Sequence, residues 1–420
     1  MNAPPVMPTR APTRAPKSVP IFPGTVSPGG QPATLGVMGG GQLGRMFVHA
    51  AQRLGYFTAV LDPDPQSPAG RVSHHHIQAD YLDAAGLSQL ALLCAAITTE
   101  FENVPAASLQ TLAASRPVAP GAAAVAIAQN RIDEKAHLTA CASVSGVSCA
   151  PYAVIETAAQ LKAVPAHLLP GILKTARMGY DGKGQVRVKN AAELAAAWAD
   201  LKAVPCVLEK MLPLRAELSV IVARGRDGAV VSFPPQRNVH VGGILAVTHA
   251  YQSNMPPAQA KRAQAATEFI VKHIDYVGVL CVEYFIIDDG SEHGALVVNE
   301  IAPRPHNSGH YTMDACNVSQ FDLQVYAMAG LPLPRPRQHS PAIMLNLLGD
   351  VWFDADGKPR TPDWTAVLAS PGTHLHLYGK LDARPGRKMG HINITGADMA
   401  GVLQVARTVA DILDLAGRDG

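Results

Sequence analysis

Val279-Leu-Cys-Val-Glu-Tyr-Phe-Ile-Ile287, Asp288-Asp-Gly-Ser-Glu-His-Gly294 and Ala295-Leu-Val-Val-Asn-Glu300 read as one unit. Two apolar runs flank a polar, glycine-containing turn, the pattern of an antiparallel hairpin. Each run carries a carboxylate, Glu283 inside the first and Glu300 at the end of the second. A regular hairpin centred between Ser291 and Glu292 sets Glu283 opposite Glu300, with Cβ atoms about 5 Å apart. Like charges that close in apolar surroundings are strongly unfavourable unless something neutralises them. A divalent cation with oxygen ligands does so, and Mg²⁺ commonly joins carboxylates to substrate phosphates. A proton shared between the two acids is the competing explanation.

The chain continues as Val298-Asn-Glu-Ile-Ala-Pro-Arg-Pro-His-Asn-Ser-Gly-His310. Within ten residues of Glu300 it supplies Arg304, His306, Asn307, Ser308 and His310, spaced by Pro303, Pro305 and Gly309. The prolines restrict the backbone, so a stiff loop is expected rather than a floppy one. A rigid loop dense in anion-binding and proton-handling groups is poor core material, and loops on a rigid scaffold are where binding groups collect. A solvated turn explains polar residues, but not this density at a strand end.

Upstream, Gly171-Ile-Leu-Lys-Thr175, Gly179-Tyr-Asp-Gly-Lys-Gly-Gln185 and Val186-Arg-Val-Lys189 form strand, glycine loop and strand. A phosphate loop of the Walker or dinucleotide type would open a helix instead. This order predicts a flap whose backbone N–H groups lie over phosphates, with Lys174 as a phosphate contact. A plain hairpin with a flexible tip is the simpler reading. A helix near 191–201 follows, then strands at Cys206–Glu209 and Ala216–Ala223. Taken alone, Glu209, Glu217 and His240 read as solvated or core groups. Arg131 and Lys135 lie on one face of a helix near 130–142, and on this evidence that face is solvated and basic.

The chain begins differently. Residues 1–33 hold nine prolines, three basic residues and no acid, a composition expected to be disordered. Thr34–Met38, Gly39-Gly-Gly-Gln-Leu-Gly44, a helix to about Leu54, and Phe57–Leu61 ending at Asp62 match a dinucleotide-binding fingerprint. Any tight strand-to-helix turn wants the same glycines, so a nucleotide fold without NAD is equally compatible. Strand Ala95–Thr99 runs into Glu100-Phe-Glu-Asn-Val104, and helical stretches near 84–93 and 104–114 complete an α/β alternation with a mostly parallel sheet. His74, His75 and His76 read as a polar loop. After Leu331-Pro-Leu-Pro-Arg-Pro336 come strands at Ile343–Leu348, Thr373–Tyr378 and Ile392–Thr395, then a helix over 398–415. Between the last two strands lies a basic loop with Lys380, Arg384, Arg387, Lys388 and His391.

At 420 residues the chain exceeds one ordinary core, so two or three domains are expected. With 48% apolar and 16% charged residues it reads as a soluble globular protein. A formal net charge of +2 argues against nucleic-acid binding by bulk electrostatics. Six scattered cysteines without CxxC spacing read as reduced cytosolic thiols. No apolar run is long enough for a membrane span, and no signal peptide is evident.

Together these residues resemble the ATP-grasp family, and within it the ATP-dependent 5-(carboxyamino)imidazole ribonucleotide synthases of purine biosynthesis. The resemblance covers residues 34–415 and is strongest at Gly39–Met46, Glu100–Val104, Gly179–Gln185, Asn299–His310 and Arg387-Lys-Met-Gly-His391. It implies an α/β and α+β architecture. A Rossmann-like parallel-sheet domain would span 34–129, an ATP-grasp domain 130–330, and a small β-rich C-terminal domain 331–420 closing the site. It further implies ATP contacts from Arg131, Lys174, Gly179, Tyr180, Asp181, Gly182, Lys183, Gly184, Gln185, Glu209, Lys210, Met211, Leu212, Glu217, His240, Asn299 and Glu300. Mg²⁺ would be held by Glu283 and Glu300. The ribonucleotide, bicarbonate and phosphate would meet Gly41, Gln42, Leu43, Tyr180, Asp181, Arg304, His306, Asn307, Ser308, Lys380 and Arg387. Arg304, His306, Lys380 and Arg387 would be catalytic. A cytoplasmic homodimer acting on 5-aminoimidazole ribonucleotide, bicarbonate and ATP is the corresponding expectation. A related ribonucleotide ligase or transformylase, an NAD-dependent oxidoreductase and a non-catalytic nucleotide-binding regulator are the alternatives.

Overall fold

The computed structural model describes residues 19–26, 30–177, 179 and 184–415. The first unit comprises β1 (Thr34–Met38), α1 (Gln42–Arg53), β2 (Phe57–Leu61), β3 (His75–Ile77), α2 (Ala84–Leu93), β4 (Ala96–Thr99), α3 (Ala106–Ala113) and α4 (Ala122–Gln129). Its sheet is parallel, in the order β3-β2-β1-β4. All five residues of β1 are buried, as expected of a central strand covered on both faces. His75 and His76 lie in the edge strand β3 rather than in a loop, and His74 Nδ1 accepts from the Thr58 N–H at 3.2 Å.

The second unit opens with α5 (Arg131–Ser145), β5 (Tyr152–Ile155), α6 (Ala158–Lys162), β6 (Gly171–Thr175), β7 (Gln185–Val188), α7 (Ala191–Asp200) and β8 (Cys206–Lys210). Its strands form a small antiparallel sheet, β5-β8-β6-β7. Then come β9 (Leu214–Arg224), β10 (Val230–Ser232), β11 (Gln236–Val241), β12 (Ile244–Ala250), α8 (Pro257–His273), β13 (Gly278–Ile287), β14 (Ala295–Ala302), α9 (Thr312–Ala315) and α10 (Gln320–Ala329). The remainder is β15 (Ala342–Leu348), α11 (Trp364–Ala369), β16 (Thr373–Leu377), β17 (Lys388–Thr395) and α12 (Met399–Leu413).

The last ninety residues do not make a separate sheet. β15 pairs with β12, Val247 opposite Leu345, so one antiparallel sheet runs β14-β13-β9-β11-β12-β15-β17-β16 with β10 on the side of β9. The proline-rich connection marks a crossover, not a break in the sheet. β17 also begins at Lys388, so Lys388 to His391 belong to a strand and His391 is fully buried.

The extension departs from expectation over its described part. The Ile21 N–H donates to Ala329 O at 2.8 Å, and Tyr56 Oη donates to Ile21 O at 2.6 Å. Ile21 itself packs on the core shared by α1 and α10. Proline-rich composition predicts no core of its own, yet it says nothing about a groove supplied by another segment. Residues 1–18 lie outside the described residues.

Candidate active site

A cleft of about 1040 Å³ separates the small sheet from the large one, with the first unit at its far end. The β13–β14 hairpin forms its floor. Glu283 does pair with Glu300, but the hairpin is not regular: Tyr284 pairs with Val298, and a bulge at Asn299 restores the register one step later. A bulge re-aims side chains and leaves one residue unpaired. Both carboxylates line the cleft, and each already has a cationic or hydrogen-bonding partner. His306 Nε2 lies 2.8 Å from Glu283 Oε1, and Arg131 Nη2 lies 3.1 Å from Glu300 Oε2. Burial alone would raise the Glu283 pKa, but His306 more than offsets it and holds the carboxyl well below its ordinary range. Asn299 Oδ1 is buried without a hydrogen-bond partner and also belongs to the cleft wall. Two carboxylates and an orphaned amide oxygen make an oxygen-only donor set, which fits a hard divalent cation.

The solvated reading of α5 is overturned. Asn130 Oδ1 accepts from the Ile132 N–H at 3.1 Å, capping the helix so that its first turn points into the cleft. Lys135 is fully buried, its Nζ donating to Asn299 O at 2.8 Å and lying 3.2 Å from Glu209 Oε1. Lys174 Nζ donates to Glu209 Oε2 at 3.0 Å, and Arg131 Nη1 lies 3.8 Å from Glu209 Oε1. Burial opposes ionisation of Glu209, but Lys174, Lys135 and Arg131 together bring its pKa down to about 2. Desolvation pulls the Lys174 pKa down, with Glu209 opposing. Removing one partner from such a buried network costs about 3–5 kcal/mol, because the others stay buried and uncompensated. Lys135 went unassigned because an i, i+4 basic pair on a helix does not reveal which way it faces.

The loop after β14 is stiffened by more than its prolines. Gln320 Oε1 accepts from the His306 N–H at 2.9 Å, and Gln320 Nε2 donates to His306 O at 2.8 Å. Arg304 Nε contacts Glu102 Oε2, and burial notwithstanding Arg304 lowers the Glu102 pKa to about 2. Asn307 is buried with both amide atoms unpartnered, and it lines the cleft beside Arg304 and His306. Ser308 does not line the cleft. Its Oγ lies 2.7 Å from Ser219 Oγ and 2.9 Å from His306 Nδ1, so it orients the histidine from behind. His310, expected to handle protons, is buried with its ring 4.6 Å from that of His391, and desolvation holds its pKa well below the ordinary histidine value.

The glycine turn after β1 does not present a phosphate cradle. Glu100 accepts from the Gly41 N–H at 2.7 Å and the Gly44 N–H at 2.8 Å, while Asp62 accepts from the Gly40 N–H at 2.7 Å. The chain's own carboxylates thus occupy the N–H groups that a dinucleotide pyrophosphate would need. A Cβ on Gly41 would come within 2.4 Å of Glu100 Oε1, so the glycine serves this internal contact. Gly41 is off the cleft wall, whereas Gln42 and Leu43 are on it.

Of the other expected residues, Gly179, Gly184, Gln185, Lys210, Met211, Leu212, Glu217 and His240 line the cleft. His240 Nδ1 contacts Glu217; burial lowers the histidine pKa, but Glu217 outweighs it and the net shift is upward. Lys174 pairs with Gln185, so the flanks of the glycine loop form the expected hairpin. Tyr180, Asp181, Gly182 and Lys183 lie outside the described residues. Lys380 and Arg387 are not on the wall, and Lys388 takes that place. Lys380 Nζ donates to Lys388 O at 2.7 Å, and Arg387 Nη1 to Asp382 O at 2.7 Å. Phe101, Glu102, Arg187 and Phe285 also line the cleft without having been assigned a role. Glu102 was legible only as a motif letter, since its partner lies about two hundred residues away.

Three family models match in succession: a ribonucleotide synthetase preATP-grasp domain over residues 33–129, an ATP-grasp domain over 140–321, and a phosphoribosylaminoimidazole carboxylase C-terminal domain over 342–405. An N5-carboxyaminoimidazole ribonucleotide synthase of Brucella melitensis is 43% identical over 363 residues, 86% of this chain and 95% of that protein. Its Bacillus subtilis counterpart is 40% identical, over 89% of this chain and 92% of that one. Among solved structures, the Staphylococcus aureus enzyme complexed with ADP superposes with a TM-score of 0.81 at 36% identity, over 93% and 99% of the two chains. The Aspergillus clavatus enzyme in complex with ADP and 5-aminoimidazole ribonucleotide gives 0.79 at 34% identity, over 91% and 98%. With the match running through all three units, the chain belongs to the ATP-grasp N5-carboxyaminoimidazole ribonucleotide synthases.

Proposed function

We propose that this chain uses ATP to activate bicarbonate and transfers the carboxyl group to the exocyclic amine of 5-aminoimidazole ribonucleotide, a step of purine biosynthesis. The observation that carries this reading is the continuity of β14 with its loop. Glu300, beside the cations Arg131, Lys135 and Lys174, is four residues from Arg304, which lines the same cleft as the unpartnered Asn307. In the first step a bicarbonate oxygen attacks the γ-phosphorus and the bond to the ADP oxygen breaks, giving carboxyphosphate. In the second the amine nitrogen attacks the carboxyl carbon, or CO₂ released from it, and phosphate departs with the C–O electrons. The amine proton must leave, and His306, fixed between Glu283 and Ser308, is placed to receive or guide it.

Lys174, Lys135 and Arg131 supply the positive field for the transferring phosphoryl group. Glu283 and Glu300, with Asn299 beside them, would hold magnesium, which when bound draws charge from the phosphate oxygens. Met211, Ile172 and Phe285 offer apolar walls for a purine ring. The β6–β7 flap would close over the phosphates and exclude water, since carboxyphosphate hydrolyses readily. A cytoplasmic location and a homodimeric state belong to the same reading, and the six free thiols among the described residues support the first. Among these residues no helix is long and apolar enough to cross a membrane.

The test is ADP release that requires both bicarbonate and 5-aminoimidazole ribonucleotide. Activity with formate and glycinamide ribonucleotide instead would overturn the assignment. A pH effect accompanies it. Burial, reinforced by Arg387, brings the Lys380 pKa down to about 8, so the ammonium form is lost as pH rises through that value. If Lys380 supplies a cation to the anionic substrates, kcat/KM for the ribonucleotide falls above about pH 8. Lys380→Arg should move that fall upward, and an unmoved profile would assign it to another group.

A further inference from the structure

Away from the cleft, His137 and Cys141 stand one turn apart on α5, and His273 ends α8 beside them. The i, i+4 spacing puts the first two on one helix face. His137 Nε2 is 3.5 Å from Cys141 Sγ, and the rings of His137 and His273 are 4.8 Å apart between centroids. One donor atom from each of the three residues falls within 4.8 Å of the other two. From this geometry we propose that His137, Cys141 and His273 bind a borderline-soft divalent metal of the zinc class, with water completing the shell, joining α5 to α8.

The donor set decides the class of ion. One thiolate and two imidazoles suit Zn²⁺ or Co²⁺, whereas Mg²⁺ and Ca²⁺ require oxygen. Metal–ligand bonds of about 2.0–2.3 Å in a tetrahedron need donors somewhat under 4 Å apart. The His137–Cys141 pair already meets that, and exposed His273 can turn to close the third side. The gradation from buried Cys141 through half-buried His137 to exposed His273 leaves the site open to solvent on one side. Ring packing, which also includes Phe269 at 5.8 Å from His273, and the apolar core that Cys141 shares with Ala263 and Ile270 would each place these side chains, so the metal reading rests on the three donor atoms converging on one point. The other grouping of this kind among the described residues, Cys281, Glu283 and His306, shares Glu283 and His306 with the cleft.

The experiment is a Co²⁺ titration of the full-length reduced protein under excess Mg²⁺. One equivalent should bind with a thiolate-to-cobalt charge-transfer band in the near ultraviolet, and Zn²⁺ should abolish the band by displacement. Cys141→Ser should lose the band. His273→Ala, at an exposed position outside the cleft, should fold and turn over ATP as the wild type does, yet bind Co²⁺ more than about tenfold more weakly. That second variant keeps the test open if the buried Cys141→Ser fails to fold. Absence of a thiolate band, or an affinity unchanged in His273→Ala, would overturn the site and leave the three residues as packing.

Discussion

Glu300→Gln should lose ATP turnover by a factor on the order of 10²–10³ while folding normally, the scale associated with removing one preorganised electrostatic contact to the reacting group. Two features of the site make the expectation specific. Glu300 is the more open of the paired acids, with 36% of its side chain exposed against 15% for Glu283. Its carboxylate is therefore available to a cation without dismantling the fold. Glutamine keeps an oxygen for Arg131 Nη2, so the ion-pair position remains filled by a hydrogen bond and the buried cations around Glu209 remain compensated. What is lost is the negative charge facing the phosphates. The measurement is phosphate release at saturating substrates, alongside a thermal unfolding curve. Turnover within a few-fold of wild type would remove Glu300 from the proposed metal position, and a collapsed melting curve would show that its role is structural.

The same acid shows how far the sequence could be read. Counting residues in a hairpin placed Glu283 opposite Glu300, and the pairing is present. It is produced by a bulge at Asn299, which the apolar alternation does not announce. Local order along the chain was legible wherever burial has a period: β1 and β2 begin and end where the apolar runs do. Direction was not. Arg131 and Lys135 share a helix face by spacing alone, but only the packing of α5 against β8 and β14 turns that face inward. Glu100 is another such case. Its motif is visible, yet its capping of the Gly41 and Gly44 N–H groups needs β4 to lie beside β1. The join of the third unit to the large sheet depends on β12 meeting β15 across about a hundred residues, and no short-range signal carries that. Lys388 rather than Lys380 lies on the cleft wall, and it opens β17 four residues before the apolar run that begins at Ile392.

Arg304→Lys should retain ADP and ATP affinity while carboxyl transfer falls by about 10²-fold, the cost of misplacing a reacting group by roughly an ångström. Arg304 is held from two sides, its Nε against Glu102 and its Nη1 donating to Pro305 O at 3.2 Å. Those contacts orient a planar fork whose remaining edge faces the cleft beside Asn307 and His306. Lysine brings the same charge as a single point on a flexible stem. One ammonium cannot hold Glu102 and Pro305 O while also presenting two parallel donors to bicarbonate or carboxyphosphate. Because the cations of the other half-site, Lys174, Lys135 and Arg131, meet at Glu209 rather than at Glu102, the nucleotide half should be left intact. The loss should then appear as uncoupling: ADP is still released in the presence of bicarbonate, but less carboxylated product forms per ADP, because poorly held carboxyphosphate meets water first. Measuring both products in one reaction distinguishes this from a general defect. A wild-type ratio with lowered rates would mean that Arg304 serves phosphoryl transfer instead, and wild-type rates with a wild-type ratio would remove it from the anion site.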